Sequence, residues 1–494
     1  MAKIGPDDLD AFATKVVNLS SVEANAGRER VRILRKRLEA KVKAEPGFSL
    51  VKMLHGGSVA KGTALSKVND MDVAVYVRKD DAPSDEPELV SWLAERVREC
   101  YGGTIAADAV TEGIHCPTIT FASGLAVDVV PVLFEGDEDG RGYLVAKDTG
   151  DRLLTSVRLH RDFIQSRKKA HPDDYAQVVR YVKWWIREQK KIHGDDVFKF
   201  KSFMAELVVA YLADNGMTLT DHAEALTDIF EFIVDTKFGE RISFTDFYLA
   251  TELPAPTGSP IEVFDPVNPD NNVAFRYGAY ERDLIVSAAE DALDALVYAK
   301  HATSKAEAVD SWQVVVGTRF KGSLQMTTGT GTSTFSLTNA KHVAAKIMSD
   351  LELLNRAYPT AGLTDERIAQ FGAEAAGMLN AGYLGTVTYG FKEGNNWIVA
   401  LRYTARNDGT LAADDRAGKI PRGVDVTGAS FYSYMTYSSA WNSLTQDQRT
   451  AFAAGLPIQR AGAPEPGASG GYWTSSTTYS SNGSGVTRQE LRPT

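Results

Sequence analysis

Two aspartates at the head of an apolar run are the feature that most constrains the fold of this chain. Asp70 and Asp72 are one residue apart, and residues 71–77 read Met-Asp-Val-Ala-Val-Tyr-Val. Because alternate side chains of a β-strand share a face, the two carboxylates would point the same way, about 7 Å apart. Like charges held this close repel unless a cation lies between them. The pattern predicts a strand that holds Mg²⁺, an ion that combines one or two carboxylates with substrate phosphates.

A third acid lies inside a second apolar run. Residues 125–133 read Leu-Ala-Val-Asp-Val-Val-Pro-Val-Leu, with Asp128 as the one charged residue. A buried carboxylate is costly unless it is paired or binds a metal. Beside Asp70 and Asp72, Asp128 would complete a site for two Mg²⁺ ions, with Mn²⁺ as the alternative. Such ions activate an attacking sugar hydroxyl and neutralise a leaving pyrophosphate, and Asp128 is the predicted general base.

A small-residue loop precedes the acids. Gly57 and Ser58 supply close backbone approach, free N–H groups and a hydroxyl donor, which suit a phosphate, and Lys61-Gly62-Thr63 follows. Taken alone, the acid pair is more often a solvated strand end. Together with the loop and Asp128, it predicts the active site of a nucleotidyltransferase.

Length, charge and cysteine content narrow the class of protein further. The chain has 494 residues, a net charge of −10 and two cysteines. This length predicts two or three domains. The negative net charge argues against electrostatic binding of long nucleic acid along the whole chain. Two cysteines do not make a disulfide scaffold, and His115-Cys116 has no partner motif that would predict zinc. Without an apolar stretch of membrane-spanning length, we expect a cytoplasmic protein that binds no membrane.

Hydrophobic periodicity predicts two kinds of architecture in the first 322 residues. Residues 7–45 predict a helix, which Pro46-Gly47 would end. Residues 48–133 alternate short strands with one helix at about 86–101, and 135–150 predict an acidic loop. Helices dominate from about 153 to 304. In that region Trp184 and Trp185 are expected in the core, with stacking on a nucleobase as the alternative.

Several strings in this part of the chain carry a family resemblance. Residues 56–63 (Gly-Gly-Ser-Val-Ala-Lys-Gly-Thr) and 70–73 (Asp-Met-Asp-Val) resemble the polymerase-β-like nucleotidyltransferases, and within them the bacterial cGAS/DncV-like group, the CD-NTases. Residues 181–185, 201–207, 265–273 and 312–317 resemble later landmarks of that group. The resemblance implies synthesis of a cyclic oligonucleotide second messenger from nucleoside triphosphates in anti-phage defence. It also implies that Lys183, Ser202 and Lys201 contact the donor triphosphate.

The composition changes after residue 322. Residues 323–334 are small, polar and glycine-dotted, and predict a flexible linker or the junction of a fusion at Met326. Beyond it, the pattern predicts helices at 340–358 and 365–381, strands at 385–391, 396–404 and 487–491, and a Ser/Tyr/Gly-rich tail at 469–485.

The strings at 336–340, 385–391, 434–441 and 471–473 resemble the bacterial HORMA domains. That resemblance implies a regulatory domain that clasps a closure-motif peptide with a C-terminal safety belt and is reopened by an AAA+ ATPase. The alternative is a plain α+β accessory domain with a disordered tail.

The predicted fold class is α+β: a polymerase-β-like nucleotidyltransferase, with a mixed-sheet catalytic half and a helical half, followed by an α+β HORMA-like domain. The predicted boundaries are about 1–150 and about 151–322 for the two halves, 323–334 for the linker and 335–494 for the HORMA-like domain. Double-stranded DNA is an open alternative as activator. Two other functions stay open: a linear or tRNA-directed nucleotidyltransferase, and a catalytically silent HORMA scaffold.

Overall fold

The structure is a computed structural model of the 494-residue chain. It describes residues 4–44, 50–66 and 70–324, and the C-terminal stretches 345, 348–349, 352–353, 355–356, 364–366, 368–369, 384–393, 396–405, 411–413, 470–479 and 485–493. All but the first two residues of the predicted linker, most of the two predicted C-terminal helices and the side chain of Asp70 lie outside the described part. Ser323 and Leu324, predicted as linker, are buried against the helical half, and Ser323 ends the last helix before the linker.

Two helices open the chain. Helix α1 (Pro6–Phe12) continues into a π-helical turn (Ala13–Val17), and α2 spans Ser21–Ala44. A capping box starts α2, because the N–H of Ser20 donates to Glu23 Oε2 at 3.0 Å and the N–H of Glu23 donates to Ser20 Oγ at 3.2 Å. The prediction of one helix over 7–45 is therefore wrong at 18–20, where the helix is interrupted before α2 begins. The hydrophobic spacing alone does not reveal this interruption.

A mixed sheet follows. Its strands are β1 (Leu50–His55), β2 (Asp70–Arg78), β3 (Val110–Glu112), β4 (Pro117–Thr120), β5 (Ala126–Phe134), β6 (Gly142–Val145) and β7 (Arg152–Thr155). The order is β1-β2-β5-β4-β3, with β6 paired to β5 and β7 to β6. Strands β2 and β5 are parallel, and the other pairs are antiparallel. The region 135–150, predicted as a loop, contains β6, because its short apolar segment forms a hairpin with β7.

Two helices accompany this sheet, α3 (Gly57–Lys61) and α4 (Leu89–Tyr101). Leu34 and Leu38 of α2 and Leu93 of α4 are fully buried and belong to one hydrophobic cluster with Val73 of β2 and Val127 of β5. Burial of one face of β2 and β5 against these helices leaves the alternate residues, including Asp72 and Asp128, on the other face.

The helical half carries the larger core. Its helices are α5 (Val157–Ala170), α6 (Asp174–His193), α7 (Ser202–Asp214), α8 (His222–Thr236), α9 (Ala279–His301), α10 (Lys305–Val316) and α11 (Arg319–Ser323). Trp184 and Trp185 of α6 are completely buried, and the Trp184 indole N–H donates to the carbonyl of Val316 at 2.9 Å. Their predicted role in core packing is confirmed, and neither ring is available to a nucleobase.

The described residues from Leu384 to Pro493 form a five-stranded antiparallel sheet. Its strands are β8 (Leu384–Glu393), β9 (Asn396–Ala405), β10 (Leu411–Ala413), β11 (Gly470–Tyr479) and β12 (Gly485–Pro493). The order is β10-β9-β8-β11-β12. The sequence predicts strands at β8, β9 and β12 but reads 469–485 as a Ser/Tyr/Gly-rich tail. Most of that tail is β11, whose backbone pairs with β8 on one side and β12 on the other.

Candidate active site

The register of two parallel strands brings two of the predicted acids together. Asp72 of β2 lies directly opposite Asp128 of β5. Neighbouring strands are about 4.8 Å apart, so these carboxylates leave adjacent positions on one face of the sheet. Thr118 of β4 pairs with Asp128 from the other side, and its Oγ1 donates to Asp128 Oδ1 at 2.5 Å. This hydrogen bond orients Oδ1 of Asp128 and does not involve Oδ2.

Asp70 begins β2 and pairs in register with Ala126. Strand alternation assigns it the face of Asp72, two residues on, but its side chain is outside the described part of the structure. Among the described side chains, no group of three or more His, Cys, Asp or Glu has metal-binding geometry. Of the predicted triad, the structure therefore gives the positions of the Asp72 and Asp128 carboxylates, and for Asp70 only the position of its backbone.

Cys116 reports on the same face. Burial, with the carboxylates of Asp128 and Asp72 acting in the same direction, raises the pKa of its thiol to about 12. Both carboxylates are therefore close enough to act on this thiol, and the cysteine stays protonated at neutral pH.

The glycine loop lies against Asp72. The N–H of Gly56 donates to the carbonyl of Asp72 at 2.9 Å. Gly57 has φ +62°, and a Cβ added there would stand 1.6 Å from Asp72 Oδ2. Only glycine fits this position, because any side chain would overlap the carboxylate. Ser58 follows in the first turn of α3 and lines the same cleft as Asp72 and Asp128.

We expect Gly57→Ala to lower nucleotide-joining activity by at least about a hundredfold, because the new methyl must displace the Asp72 carboxylate. The matched control is Gly103→Ala. Gly103 has a similar φ of +78° but no atom within 4 Å of an added Cβ, so it carries the backbone strain without the overlap. Initial rates of both variants, compared at equal folded concentration by circular dichroism, check the prediction. Similar losses in the two variants would contradict it.

A buried carboxylate joins the two halves beneath the loop. Glu206 of α7 is almost completely buried. Its Oε1 accepts from Lys183 Nζ at 2.5 Å and from Thr63 Oγ1 at 2.6 Å, and its Oε2 accepts from Lys61 Nζ at 2.8 Å. Burial alone would raise the pKa of Glu206, but Lys61 and Lys183 together hold it at about 2. Glu206 is therefore an anion that fixes one lysine from each half.

The two lysines differ in how many N–H groups their ammonium already donates to protein acceptors. The ammonium of Lys183 has three N–H groups and three acceptors, namely Glu206 Oε1, Thr63 Oγ1 and the carbonyl of Thr63, the last two at 3.1 and 3.3 Å. Lys61 donates to Glu206 and lies over the ring of Phe203, 4.7 Å from its centroid. In this arrangement Lys61 is the better placed of the two to donate to a phosphate.

The remaining predicted phosphate contacts fall at the start of α7. Ser202 is the first residue of this helix and lines the cleft. Lys201 precedes it and is exposed, and its backbone N–H donates to the hydroxyl of Tyr277 at 3.0 Å. Lys201 is not among the residues that line the cleft in the described part of the chain.

The cleft itself has a volume of about 730 Å³, within the range of ligand sites. It lies between the sheet and the helical half, and it is lined by Gly57, Ser58, Lys61, Thr63, Leu65, Ser66, Asp72, Asp128, Lys183, Arg187, Asp195, Ser202, Phe203 and Glu206.

The later landmark at 265–273 has a structural role. Asp265 is buried and accepts from the N–H of Val267 at 2.8 Å, and its Oδ1 is 2.7 Å from the Nε2 of His160 on α5. This string closes a turn against the helical core and does not line the cleft.

The sequence pattern predicts no role for Glu206 or Thr118. Glu206 is a single acid between apolar neighbours, Met204 and Ala205 before it and Leu207 and Val208 after it, which is the signal that identified Asp128. Thr118 carries no such signal, because its role depends on the pairing of β4 with β5.

Comparison with known proteins gives relatives for both parts of the chain. Over 312 residues it is 43% identical to the cyclic AMP-AMP-AMP synthase of Escherichia coli strain MS 115-1, which covers 63% of this chain and 96% of that protein. The solved structure of E. coli MS115-1 CdnC in complex with HORMA-deltaN matches with a TM-score of 0.59 at 42% identity, covering 66% of this chain and 99% of that one.

The C-terminal part matches a different set. The model of bacterial HORMA domain family 1 matches residues 325–492. CD-NTase-associated protein 7 of the same E. coli strain is 45% identical over 164 residues, which cover 33% of this chain and 92% of that protein.

Proposed function

Because this chain belongs to the CD-NTases, the nucleotidyltransferases that make cyclic oligonucleotides, and continues into a bacterial HORMA domain, we propose that it joins ATP into a cyclic oligonucleotide under HORMA control. Membership of the family confirms the predicted polymerase-β-like fold and the predicted enzyme class. A role in CBASS anti-phage defence is part of the proposal and is supported by the name of a 27% identical relative, the CBASS oligonucleotide cyclase CdnC of Escherichia coli strain KTE188. ATP as substrate is supported by the AMP units named for the E. coli synthase.

The observation that carries the proposal is the pairing of Asp72 with Asp128 beside Gly57 at the floor of the cleft. Two adjacent carboxylates, with the Ser58 hydroxyl lining the same cleft, form an all-oxygen donor set, which suits a hard divalent ion. We propose that Asp72 and Asp128, with Asp70, hold two Mg²⁺ ions, and that Mn²⁺ can replace them. When bound, such ions lower the pKa of a sugar hydroxyl and neutralise the leaving pyrophosphate.

Protein side chains supply the proton acceptor and the triphosphate contacts of the proposed reaction. A ribose 3′ or 2′ hydroxyl oxygen bonds to the α-phosphorus of a second nucleotide, the bond to pyrophosphate breaks, and Asp128 Oδ2 takes the hydroxyl proton. Thr118 keeps Oδ1 of the same carboxylate oriented. The loop at Gly57 and Ser58, the Lys61 ammonium and Ser202 at the start of α7 bind the triphosphate.

Lys183 contributes through Glu206. Because its N–H groups are satisfied by Glu206 and Thr63, we propose that it positions the Glu206 carboxylate, which in turn positions Lys61. A direct contact of Lys183 with the triphosphate would require one of these bonds to break. Lys201 would reach the triphosphate only through movement of its exposed side chain.

The HORMA domain is proposed as the regulator. Association of a HORMA protein with a CD-NTase is supported by the E. coli CdnC:HORMA-deltaN structure. Placement of β11 between β8 and β12 supports a C-terminal segment that can enclose a closure-motif peptide. An AAA+ ATPase that reopens this segment, and double-stranded DNA as activator, remain part of the proposal.

None of the helices in the described residues combines the length and apolar character that crossing a membrane requires. A cytoplasmic location, where nucleoside triphosphates are available, is proposed with the function.

The test is incubation of the full chain with all four NTPs and Mg²⁺, followed by phosphatase and chromatography. We expect a product that resists the phosphatase, that is lost when EDTA removes the divalent ion, and that requires ATP. A product that loses its terminal phosphates would support the linear or tRNA-directed alternative. No product, with or without closure peptide or DNA, would support the silent scaffold.

A further inference from the structure

The backbone at the end of helix α3 accepts hydrogen bonds from two cationic side chains of the helical half. Lys168 Nζ on α5 donates to the carbonyl of Lys61 at 3.2 Å. Arg180 Nη1 on α6 donates to the carbonyl of Gly62 at 2.6 Å. The last carbonyls of an α-helix find no N–H within the helix itself. Side chains from the other half of the enzyme therefore complete the end of α3.

The same kind of contact continues along α6. Arg180, Lys183 and Arg187 are spaced by three and four residues, so they share one face of this helix. Lys183 Nζ donates to the carbonyl of Thr63 and Arg187 Nη1 donates to the carbonyl of Ser66, each at 3.3 Å. The segment that follows α3 is therefore bonded to a row of cations.

Positive charge accumulates behind this segment. Glu206 accepts from Lys61 and Lys183, whereas the acceptors of Lys168 and Arg180 are neutral carbonyls. Burial, with the charge of Arg180 acting in the same direction, lowers the pKa of Lys168. Burial also lowers the pKa of Arg180. Half-buried cations on neutral oxygens are unfavourable until an anion approaches, and this arrangement therefore favours a negatively charged ligand in the cleft.

Gly62 leaves room for the Lys168 contact. It ends α3 in the left-handed conformation, with φ +75°, which glycine adopts without steric cost. A Cβ added there would stand 2.7 Å from Lys168 Nζ. The glycine therefore both ends the helix and lets the lysine reach the carbonyl of Lys61.

Contacts at the end of α3 also affect its beginning. The helix has five residues, from Gly57 to Lys61, and a helix of this length is not stable without tertiary contacts. Gly57 lies against Asp72, whereas the last carbonyls lie against α5 and α6. A shift at the end of α3 therefore moves Gly57 and Ser58 relative to the Asp72 carboxylate. A displacement of about 1 Å can slow a reaction by about a hundredfold.

We propose that Lys168 and Arg180 are positioning residues of the nucleotide-joining reaction, which hold the end of α3 and so fix Gly57 and Ser58 beside Asp72. This role rests on the proposed function, because it assigns the two cations a part in that reaction. Neither side chain is among those that line the cleft in the described part of the chain, so they act through the backbone of α3. Their charge adds to the field that attracts the triphosphate.

Amide hydrogen exchange of the full chain without nucleotide tests the contact itself. Lys168→Met keeps the apolar stem and removes the N–H donors. We expect it to speed exchange in the peptide that contains α3 at least about tenfold, because the amides of Gly62 and Thr63 close the turn that Lys168 holds. Arg180→Met should have the same effect. Lys169→Met is the matched control, since Lys169 is the next residue of α5 and is exposed, and it should leave exchange unchanged.

Initial rates with ATP and Mg²⁺ test the role in the reaction. Per folded enzyme, Lys168→Met should raise the KM for ATP at least about fivefold and lower kcat/KM at least about tenfold, because the triphosphate meets a displaced loop. Lys168→Arg keeps an N–H donor and should return within about threefold of the unaltered chain. Lys169→Met should keep both constants. A purely structural role would lower the amount of folded enzyme and leave both constants unchanged.

Each outcome has a distinct meaning. Unchanged exchange in Lys168→Met would overturn the contact, and this variant decides the matter even if Arg180→Met does not fold. Faster exchange with unchanged KM and kcat/KM would overturn the positioning role. A Lys168→Arg protein that behaves like Lys168→Met would also overturn it. An unaltered chain that joins no nucleotides, with or without closure peptide or DNA, would overturn the proposed function and the part in the reaction, while the exchange result would still decide the contact.

Discussion

Asp72→Asn is expected to reduce nucleotide joining by about a thousandfold or more, which corresponds to about 4 kcal/mol of activation free energy. The amide keeps the size of the side chain but removes the charge that would hold a divalent ion beside Asp128. Because the carboxylates of Asp72 and Asp128 repel each other, removing the charge of Asp72 should not destabilise the fold in the absence of metal. Initial rates with Mg²⁺ and the melting temperature in EDTA measure the two effects.

Asp80→Asn is the control for this prediction. Asp80 lies in the exposed turn that follows β2, so the same chemical change occurs near the same strand but outside the cleft. The variant should keep full activity. The double change Asp70→Asn with Asp72→Asn should also abolish joining and leave the fold intact. An Asp72→Asn protein with more than about a tenth of the activity, or one that does not fold, would contradict the assignment.

Glu206→Gln is expected to produce the largest loss of stability among these variants. The substitution leaves Lys61 and Lys183 close together without the carboxylate that now accepts from both. Breaking a buried ion pair by removing one partner typically costs about 3–5 kcal/mol. We expect the free energy of unfolding in urea at pH 7 to fall by about that amount.

The same carboxylate predicts a pH dependence. Its folded pKa of about 2 lies below the ordinary value of 4.5, so its contribution to stability is full above pH 4.5. That contribution is lost as the pH falls from about 4.5 to about 2. A shift of this size corresponds to about 3 kcal/mol. Glu206→Gln should flatten the stability profile in this window, whereas Glu95→Gln, on the exposed side of α4, should not. An unchanged slope in Glu206→Gln would contradict the ion-pair account.

The KM for ATP distinguishes a role of Glu206 in positioning Lys61 from a role in stability alone. If Glu206 holds Lys61 at the triphosphate, the KM for ATP should rise several-fold in Glu206→Gln when rates are expressed per folded enzyme. A purely structural carboxylate would lower the amount of folded enzyme and leave KM unchanged.

The sequence was sufficient for those parts of the site that depend on local pattern. Asp72 and Asp128 each stand out as a charge within an apolar strand, and the structure pairs them in register. The sequence predicts close backbone approach at Gly57, and in the structure a Cβ added there would overlap Asp72. These predictions work because strand alternation and glycine conformation are local properties.

Other features depend on contacts between distant segments. The interruption at 18–20 follows from a single capping box, and β11 forms because β8 and β12 supply partners for a polar segment. The Glu206 ion pairs join residues 145 positions apart in the case of Lys61. Hydrophobic periodicity carries no information about such pairings, which tertiary packing determines.

The most direct measurement is anomalous diffraction from crystals grown with Mn²⁺ and a non-hydrolysable ATP analogue. We predict two anomalous peaks, with at least one bound by carboxylate oxygens of both Asp72 and Asp128 and with the triphosphate against Gly57, Ser58 and Lys61. Mn²⁺ bound elsewhere, or those carboxylates without an ion while nucleotide occupies the cleft, would contradict the central claim.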